Sequence, residues 1–357
     1  MAFMRESVLI RAWLGPAAAT LALLLAAELG LRCAGFRYAR HPVAMRYVMT
    51  LAHVGVEQTL YQKRFRIDYI LDPVLLWRPL PRPGVTNSEG FVGPEWSSDK
   101  PAGSARVMAL GDSCTVAGET PYPARLAEEL SRRGKSPWQV WNAGVGSWSS
   151  YQGRRLLETR LPRFRPDVVT IYFGWNDHWL AWSVPDKDMA RHLDRQWRTL
   201  KLVEKSRLLQ ALLRMADAVR GGRRLSKAAP MRVSLQDYEE NLRAMVRMVR
   251  DSGGEAVLVT APTTLAPRHP LARALCEQTR NFGDPERLSA VHADYNDVVR
   301  RVALEVGAPL ADMAAAFSRM KDAEALFTDG IHLTAEGHRR AARLLEPVVR
   351  KARRPKD

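Results

Sequence analysis

Short apolar runs alternate with segments of helical periodicity from Ala105 to the end of the chain, and this alternation constrains the fold more than any other feature. It is typical of α/β proteins with a parallel sheet. The predicted strands are 106–110, 139–142, 167–173, 256–260 and 309–311, and the predicted helices are 123–133, 152–160, 235–251, 285–306 and 335–351. Parallel strands joined by right-handed crossovers form an open three-layer sheet that binds ligands beyond the carboxyl ends of its strands. We therefore expect functional residues directly after the strands.

The composition is that of a folded protein, because 46% of the 357 residues are hydrophobic, which excludes disorder of the whole chain. The net charge of +16 raises the hypothesis of a nucleic-acid partner. No zinc-finger spacing, RNA-recognition motif or heptad-linked basic region supports that hypothesis. The three cysteines are too scattered for a disulfide framework or a metal cluster. We expect no nucleic-acid partner, no metal and no cofactor.

An apolar segment near the N-terminus, residues 12–31, contains one charged residue, Glu28. At about 1.5 Å per residue in a helix it extends about 30 Å, enough to cross the apolar core of a bilayer. No Ala-x-Ala cleavage site follows it, and the bulky Arg32 precedes Cys33 where a lipoprotein would have a small residue. We predict an uncleaved, single-pass transmembrane helix over 12–31, preceded by a flank, 1–11.

The charges beside this segment do not favour an outward-facing C-terminal body. Two arginines precede the segment and three follow it: Arg5 and Arg11, then Arg32, Arg37 and Arg40. The positive-inside rule places the more basic flank in the cytoplasm. Counting charges therefore leaves the orientation open.

Two further segments fall outside the strand–helix alternation. Residues 32–104 are punctuated by proline and aromatic residues, and we interpret them as a membrane-proximal arm before a domain at 105–352. Residues 178–233 have no strand signal and carry 9 Arg and 4 Lys against 4 Asp and 1 Glu, a net charge of +8. Leucines there recur at helical spacing. This basic helical insertion can be a lid, a membrane-surface helix or a solvated helical hairpin.

Small or polar residues follow three of the predicted strands. Ser113 follows the first strand in a tight turn, where a nucleophile would be presented, although it can also cap the next helix. The small residues of 142–147 follow the second strand and let backbone N–H groups approach a ligand oxygen, as ordinary turns also do. Asn176 follows the third strand and can donate to a developing oxyanion or form an Asx turn.

A loop near the C-terminus contains Asp329 and His332, three residues apart and just before a predicted helix. A carboxylate at this spacing can fix the tautomer of an imidazole and stabilise its protonated form. A lone histidine is more often structural, but this one has an acidic neighbour. The pair is therefore a candidate for acid–base chemistry.

Four motifs match, in order, those of the SGNH hydrolase superfamily, which includes the GDSL-type lipases and esterases. The motifs are Gly111-Asp112-Ser113, Asn142-Ala143-Gly144, Gly174-x-Asn176-Asp177 and Asp329-x-x-His332. The chain resembles this superfamily over roughly residues 106–345. The resemblance implies a flavodoxin-like three-layer α/β/α fold around a five-stranded parallel sheet, and the hydrolysis of acyl esters.

The same resemblance implies a catalytic triad. Ser113 would be the nucleophile, His332 the general base and then the general acid, and Asp329 the carboxylate that orients His332. Cys114 occupies the position where the family usually has leucine, which raises the alternative of a thiol enzyme. The Gly-Asp-Ser match favours Ser113.

The resemblance also implies three donors to an oxyanion. The first two would be the backbone N–H of Ser113 and the side chain of Asn176. The family's third donor is the backbone N–H of a glycine in the second motif. Counting from Asn142, that position holds Ser147, and Gly146 precedes it. Both residues are therefore candidates for the third donor.

The N-terminal part is similar, more weakly, to membrane-anchored bacterial members of this superfamily. The matching features are the apolar segment, Asp72-Pro73, Trp77-Arg78 and residues 87–91. Those members usually face outward. The resemblance implies an extracytoplasmic domain, periplasmic or at the cell surface.

These observations predict a membrane-anchored serine ester hydrolase that forms an acyl-enzyme. Its substrates would be O-acyl esters, such as acetyl esters, of a glycan or a lipid. An O-acyltransferase that uses the same Ser-His-Asp site is one alternative. A non-catalytic, membrane-anchored glycan-binding module is the other. The sequence does not indicate the acyl group, the alcohol or the oligomeric state.

Overall fold

The computed structural model describes residues 2–38, 69–132, 137–181, 184–219, 229–279 and 284–353. The chain divides into two compact units. The sheet unit comprises Val43–Ala190 and Leu225–Asp357, and the helical unit comprises Met1–Pro42 and Arg191–Arg224. All of the predicted strands lie in the sheet unit.

The secondary structure follows the predicted alternation. In chain order the strands are β1 (Tyr69–Asp72), β2 (Leu76–Pro79), β3 (Ala105–Gly111), β4 (Trp138–Gly144), β5 (Val168–Tyr172), β6 (Glu255–Val259) and β7 (Leu310–Ala311). The helices are α1 (Ala2–Cys33), α2 (Ser113–Val116), α3 (Tyr122–Arg132), α4 (Ser150–Phe164), α5 (Asp186–Lys205), α6 (Arg207–Val219), α7 (Leu235–Asp251), α8 (Pro270–Thr279), α9 (Pro285–Val306), α10 (Met313–Ser318) and α11 (Ala335–Arg353). The bounds of the five predicted strands differ from these by at most two residues.

A five-stranded parallel sheet forms the centre of the sheet unit, and it confirms the predicted fold class. The strand order is β4-β3-β5-β6-β7. Strands β3, β5 and β6 are buried along their whole length. Such continuous burial is expected where helices cover both faces of a parallel sheet.

Amphipathic helices form the two outer layers. Helices α3 and α11 pack together on one side of the sheet, and α4, α7 and α9 pack side by side on the other. In α7 the buried residues Leu242, Met245, Val246 and Val249 recur at the spacing of one helix face. Ser234 caps α7 by accepting a hydrogen bond from the third residue of the helix. The predicted bounds 235–251 match this helix.

The direction of strand addition changes at β3, which lies between β4 and β5. This order is that of flavodoxin-like sheets, which bind ligands in the crevice where the direction changes. Ser113 follows β3, and Asn176 follows β5. Both predicted site residues therefore lie beside that crevice.

Within the predicted arm, 32–104, residues 32–38 belong to the helical unit and residues 69–104 pack within the sheet unit. Strands β1 and β2 form an antiparallel hairpin. Trp96 stacks on Phe91 with ring centroids 4.3 Å apart and on Trp141 of β4 with centroids 5.4 Å apart. The boundary predicted between residues 104 and 105 therefore does not separate two compact units, because aromatic packing joins its two sides. Residues 39–68 of the arm lie outside the described residues.

The predicted insertion, 178–233, begins and ends in the sheet unit. Its two ends are joined by an antiparallel bridge between Leu180 and Met231, and the Arg232 N–H donates to the Trp179 carbonyl. This pairing is too short to give a strand signal in the sequence. Helices α5 and α6 lie between the two ends and account for the helical spacing of the leucines.

The helical unit contains α1, most of α5, and α6. Helix α1 includes the whole of the predicted segment 12–31. Its stretch Gly15–Cys33 is long and apolar enough to cross a membrane, and none of that stretch is buried. Length and composition alone would also fit a signal sequence.

Candidate active site

Ser113 is the first residue of α2 and is partly exposed at the carboxyl end of β3. The residue before it, Asp112, caps the helix by accepting a hydrogen bond from the Cys114 N–H at 2.8 Å. The alternative in which Ser113 is the cap is therefore wrong. Because Asp112 satisfies the helix terminus, the Ser113 hydroxyl is left for other partners.

The Ser113 hydroxyl lies in a chain of hydrogen bonds with the C-terminal loop. His332 Nε2 is 2.9 Å from Ser113 Oγ, and His332 Nδ1 is 2.6 Å from Asp329 Oδ2. The other carboxylate oxygen, Asp329 Oδ1, accepts from the backbone N–H groups of His332 and Ile331 at 2.7 and 3.0 Å. These backbone hydrogen bonds orient the Asp329 carboxylate so that its Oδ2 faces the imidazole of His332.

Asp329 and His332 shift each other's pKa in opposite directions. Burial lowers the pKa of the His332 imidazole, but the charge and hydrogen bond of Asp329 outweigh burial, so the net pKa is raised. Burial raises the pKa of Asp329, but the charge and hydrogen bonds of His332 outweigh it, so the net pKa is lowered. An ionised carboxylate can only accept hydrogen bonds, so Nδ1 carries the proton and Nε2 is the acceptor for the Ser113 hydroxyl.

Asn176 is buried and directs its side chain towards the turn that holds the serine. Its Nδ2 donates to Asp112 Oδ2 at 3.2 Å. Burial raises the pKa of Asp112 to about 6, although the hydrogen bond from the Cys114 N–H opposes that shift. Asp112 thus connects the two predicted site residues, Ser113 and Asn176. In the sequence, Asp112 is the middle residue of the Gly-Asp-Ser motif, and nothing in that motif predicts these two hydrogen bonds.

The loop that carries Asn176 is closed by its neighbour, Asp177. The Asp177 carboxylate accepts from the Gly174 N–H at 3.1 Å and from the Ser150 N–H of α4 at 2.9 Å. Burial raises the pKa of Asp177 to about 7. Asp177 thus bonds the backbone of this loop, whereas the side chain of Asn176 donates to Asp112.

The turn after β4 lies against the turn that holds Ser113. The Val145 N–H donates to the Gly111 carbonyl at 3.1 Å, and a Cβ on Gly144 would lie 2.8 Å from Thr115 Cβ. A glycine is therefore needed at 144 for this close approach. The predicted donors Gly146 and Ser147 directly follow, so both lie in a turn that contacts the serine turn.

Ser147 and Gly146 differ in backbone conformation. Ser147 has φ = 66°, in the left-handed region that favours glycine, whereas Gly146 is not among the residues with positive φ. Ser147 thus occupies the backbone conformation expected at the position where the resemblance places a glycine. The hydroxyl of Tyr69, from β1, would lie 3.4 Å from a Cβ on Gly146.

A buried ion pair, which the sequence did not predict, holds the Ser147 carbonyl. Arg232 and Asp186 are 1% and 0% exposed, and Arg232 Nη2 donates to Asp186 Oδ2 at 2.8 Å. Arg232 Nη1 donates to the Ser147 carbonyl at 2.8 Å, and Ser149 Oγ donates to Asp186 Oδ2 at 2.7 Å. The charge count placed both residues in the basic insertion. No spacing in the sequence distinguishes a buried pair from surface charges.

Cys114 is fully buried, and burial raises the pKa of its thiol well above the ordinary value. A nucleophilic cysteine requires the thiolate. The environment of Cys114 therefore disfavours the thiol alternative. Over the described ranges of the chain, no group of three or more His, Cys, Asp or Glu residues could hold a metal ion.

Comparison with known proteins places this chain in a family. A sequence profile described as the GDSL-like lipase/acylhydrolase family matches residues 109–340, a range that contains all four motifs. No curated protein matches the chain.

Solved structures with a similar arrangement share little sequence identity with the chain. The lipase/acylhydrolase from Enterococcus faecalis has 18% identity and a TM-score of 0.47, and the match covers 71% of this chain and 99% of that one. The acetylxylan esterase Axe2 from Geobacillus stearothermophilus has 18% identity and a TM-score of 0.43, with 71% and 95% covered. Because the family profile covers about two thirds of its length, the chain belongs to the GDSL-like lipase/acylhydrolase family and is a carboxylic ester hydrolase.

Proposed function

We propose that this ester hydrolase acts through an acyl-enzyme on Ser113, with His332 as the general base and Asp329 as its orienting carboxylate. The observation that carries the proposal is the pair of hydrogen bonds linking Asp329 Oδ2, the His332 ring and Ser113 Oγ, at 2.6 and 2.9 Å. A nucleophile, a base within hydrogen-bond reach and a third group orienting that base form the arrangement that covalent catalysis requires.

The reaction begins when Ser113 Oγ attacks the carbonyl carbon of the ester and its proton passes to His332 Nε2. Asp329 stabilises the resulting imidazolium. As the tetrahedral intermediate collapses, His332 returns the proton to the leaving alkoxide, so that an alcohol departs and the acyl group stays on Oγ. A water molecule then attacks the acyl-enzyme, with His332 again accepting and returning a proton, and the carboxylic acid leaves.

The negative charge on the former carbonyl oxygen would be held by three donors. These are the backbone N–H of Ser113, the Nδ2 of Asn176 and a backbone N–H in the turn after β4. We assign the third donor to Ser147 rather than Gly146, because Ser147 has the left-handed backbone and a carbonyl held by Arg232. Loss of one donor of this kind typically costs about 100- to 1000-fold in rate.

The substrate we propose is an O-acyl ester of a glycan or a lipid, with acetyl as the first acyl group to test. An O-acyltransferase would use the same residues and would pass the acyl group to a sugar hydroxyl instead of water. Product analysis with and without a glycan acceptor separates the two reactions. Free acid in both cases supports hydrolysis, and an acylated glycan supports transfer.

The first prediction concerns Ser113→Ala in the purified, folded full-length protein. The variant should lose at least about 1000-fold in kcat on p-nitrophenyl acetate, because the acyl group has no oxygen to bond to. It should also fail to react with a fluorophosphonate serine probe. Ser131→Ala, which removes an exposed serine on α3, is the matched control and should keep both properties.

Normal turnover by Ser113→Ala would exclude Ser113 as the nucleophile. A wild-type protein that resists the probe and lacks turnover would support the non-catalytic alternative.

We also propose that α1 anchors the protein in a membrane and that the sheet unit is extracytoplasmic. The weak resemblance to outward-facing, membrane-anchored members supports this orientation. Protease accessibility in cells tests this orientation. An extracytoplasmic sheet unit should be cleaved once the outer envelope is permeabilised, while the inner membrane is still intact. Protection until the inner membrane is lysed would contradict it.

A further inference from the structure

The last turns of α1 are bonded to the start of α6. The Glu28 carboxylate accepts from the backbone N–H groups of Arg207 and Leu208 at 3.0 and 2.8 Å, and from Ser206 Oγ at 2.8 Å. These are N–H groups that a helix cannot satisfy internally at its N-terminus. Glu28, the one charged residue of the predicted apolar segment 12–31, therefore serves as a cap for α6, where the helix dipole also favours a negative charge.

The end of α5 and α6 itself also form hydrogen bonds with the last turn of α1 and with the residues just after it. Arg32 Nη2 donates to the Lys205 carbonyl at 2.8 Å, in the last turn of α5. Just beyond α1, the Tyr38 N–H donates to Gln210 Oε1 at 2.9 Å, and its hydroxyl donates to Asp217 Oδ2 at 2.8 Å. Removal of α1 as a cleaved leader would take the cap from α6 and the donor from α5. These bonds argue that α1 is retained.

The position of Glu28 along α1 determines how deep the N-terminus of α6 would lie in a bilayer that α1 spans. Glu28 lies five residues before the end of the apolar stretch Gly15–Cys33, which is about 7.5 Å along the helix axis. If α1 spans a bilayer, the N-terminus of α6 lies inside the boundary between the headgroups and the acyl chains. Amphipathic helices that rest on a membrane bury their apolar face to about 5–10 Å at that boundary.

One face of α6 is apolar and exposed to solvent in the helical unit. Leu212, Met215 and Val219 are 49%, 61% and 87% exposed, and Leu209 is also exposed. At about 100° per residue these four side chains fall within an arc of about 120°. Large apolar side chains clustered on one face mark a surface that binds another apolar phase.

The charge of this region indicates the kind of membrane surface. Residues 191–219 contain seven Lys and Arg against three Asp and Glu. A basic amphipathic helix beside a membrane span is attracted to anionic headgroups. We infer that α6 is an interfacial helix whose face of Leu209, Leu212, Met215 and Val219 (the apolar face) lies in the acyl-chain boundary of an anionic bilayer. Glu28 of α1 holds the N-terminus of α6 there.

The test uses the full chain in nanodiscs of phosphatidylcholine and phosphatidylglycerol. A Cys33→Ser background leaves only the buried Cys114 and Cys276. A fluorophore is attached at Leu212→Cys or, as the control, at Ala218→Cys, which is exposed on the same helix but outside the apolar arc. Quenching by nitroxide-labelled lipid is compared with quenching by aqueous iodide.

The inference predicts that nitroxide lipid quenches the label at 212 at least about fivefold more than the label at 218, and that iodide shows the opposite preference. Met215→Cys should behave like Leu212→Cys and replaces it if that variant does not fold. Glu28→Gln should increase quenching of the label at 212 by iodide and decrease its quenching by nitroxide lipid, because the cap of α6 is weakened. None of these readings depends on catalysis, so they stand or fall separately from the proposed ester hydrolysis, whereas the inference rests on the proposed anchoring of α1.

Three outcomes would overturn the inference. Equal access of iodide to both labels would show a solvated helical hairpin. Protection of the label at 212 from both quenchers that increases with protein concentration would show contact with a second copy of the chain. Equal quenching by a purely zwitterionic bilayer and by the anionic one would remove the part of the inference that rests on charge.

Discussion

Asp329 determines which nitrogen of His332 carries the proton. Because that proton lies on Nδ1, the Ser113 hydroxyl donates its hydrogen bond to Nε2. The carboxylate reaches Nδ1 at 2.6 Å, and Nε2 then accepts from Oγ. The negative charge of Asp112 adds to that of Asp329 in raising the pKa of His332. At the scale of single residues, two carboxylates, Asp329 and Asp112, thus act on the charge of one imidazole.

The second prediction is that Asp329→Asn lowers kcat by about 1000- to 10,000-fold in a folded protein, because an amide favours the wrong tautomer of His332. The pH profile should change as well. His332 must be neutral to act as a base, so activity falls as the pH drops below its pKa. Loss of the negative charge lowers that pKa, and the acid limb of kcat/KM should therefore move to lower pH. An unmoved acid limb would show that Asp329 does not act on His332.

The sequence predicted part of this residue-scale arrangement. Ser113, Asp329, His332 and Asn176 could be named because their motifs place them directly after strands or before a helix. The role of Asp112 could not be predicted, since its two hydrogen bonds depend on how β3 and β5 lie in the sheet.

At the scale of elements, the two ends of the insertion support the turn after β4. Arg232 lies next to the short pairing of Leu180 with Met231, and Asp186 begins α5. Together they hold the Ser147 carbonyl and the Ser149 hydroxyl. The insertion thus contributes Arg232, which bonds the turn of the proposed oxyanion donor Ser147.

The third prediction separates the stabilising role of this ion pair from its effect on catalysis. Arg232→Met should cost about 3–5 kcal/mol of unfolding free energy, because Asp186 is left buried without a partner. The double variant Asp186→Leu/Arg232→Met should recover most of that stability, since an apolar pair of similar size can replace a buried ion pair.

The kcat of the double variant should nevertheless stay about 10- to 100-fold low, with KM little changed, because the Ser147 turn has lost its donor. Urea unfolding and steady-state kinetics on the same samples provide both readings. Recovery of kcat together with stability would contradict a positioning role for Arg232.

At the scale of the whole molecule, the sheet unit is larger than the alternation of strands and helices indicated. The periodicity predicted the five parallel strands, because buried strands and amphipathic helices leave distinct patterns. It did not predict that residues 69–104 belong to the same unit, since stacking of Trp96 on Trp141 leaves no periodic pattern. The division into two units likewise depends on contacts between α1 and α6 that are distant in sequence.

The fourth prediction tests whether residues 69–104 are part of the folding unit. Trp96→Ala should lower the free energy of unfolding of the sheet unit by about 3–5 kcal/mol, because a buried aromatic side chain leaves a cavity. The whole unit should unfold in one transition that is shifted to lower urea. A separate early transition, with the main one unchanged, would show that residues 69–104 do not unfold with the sheet and would support a membrane-proximal arm outside the domain at 105–352.

The net charge of +16 does not describe one surface of the molecule. Half of it belongs to residues 178–233, where Arg232 and Asp186 form a buried pair and most of the other charged residues lie on α5 and α6. Arg220, Arg223, Arg224 and Lys227 lie outside the described residues. A whole-chain charge therefore says little about partners until the charged residues are placed on their elements.

The most direct test of the proposed catalytic mechanism is to trap the acyl-enzyme. The full-length protein is mixed with p-nitrophenyl acetate, quenched in acid during the first turnover, and analysed by intact mass and peptide mapping. The proposed mechanism predicts one acetyl group per chain, carried by Ser113, formed with the nitrophenol burst and absent in Ser113→Ala. Full turnover with no acetylated chain, or an acetyl group that accumulates on a different residue at the rate of the burst, would contradict it.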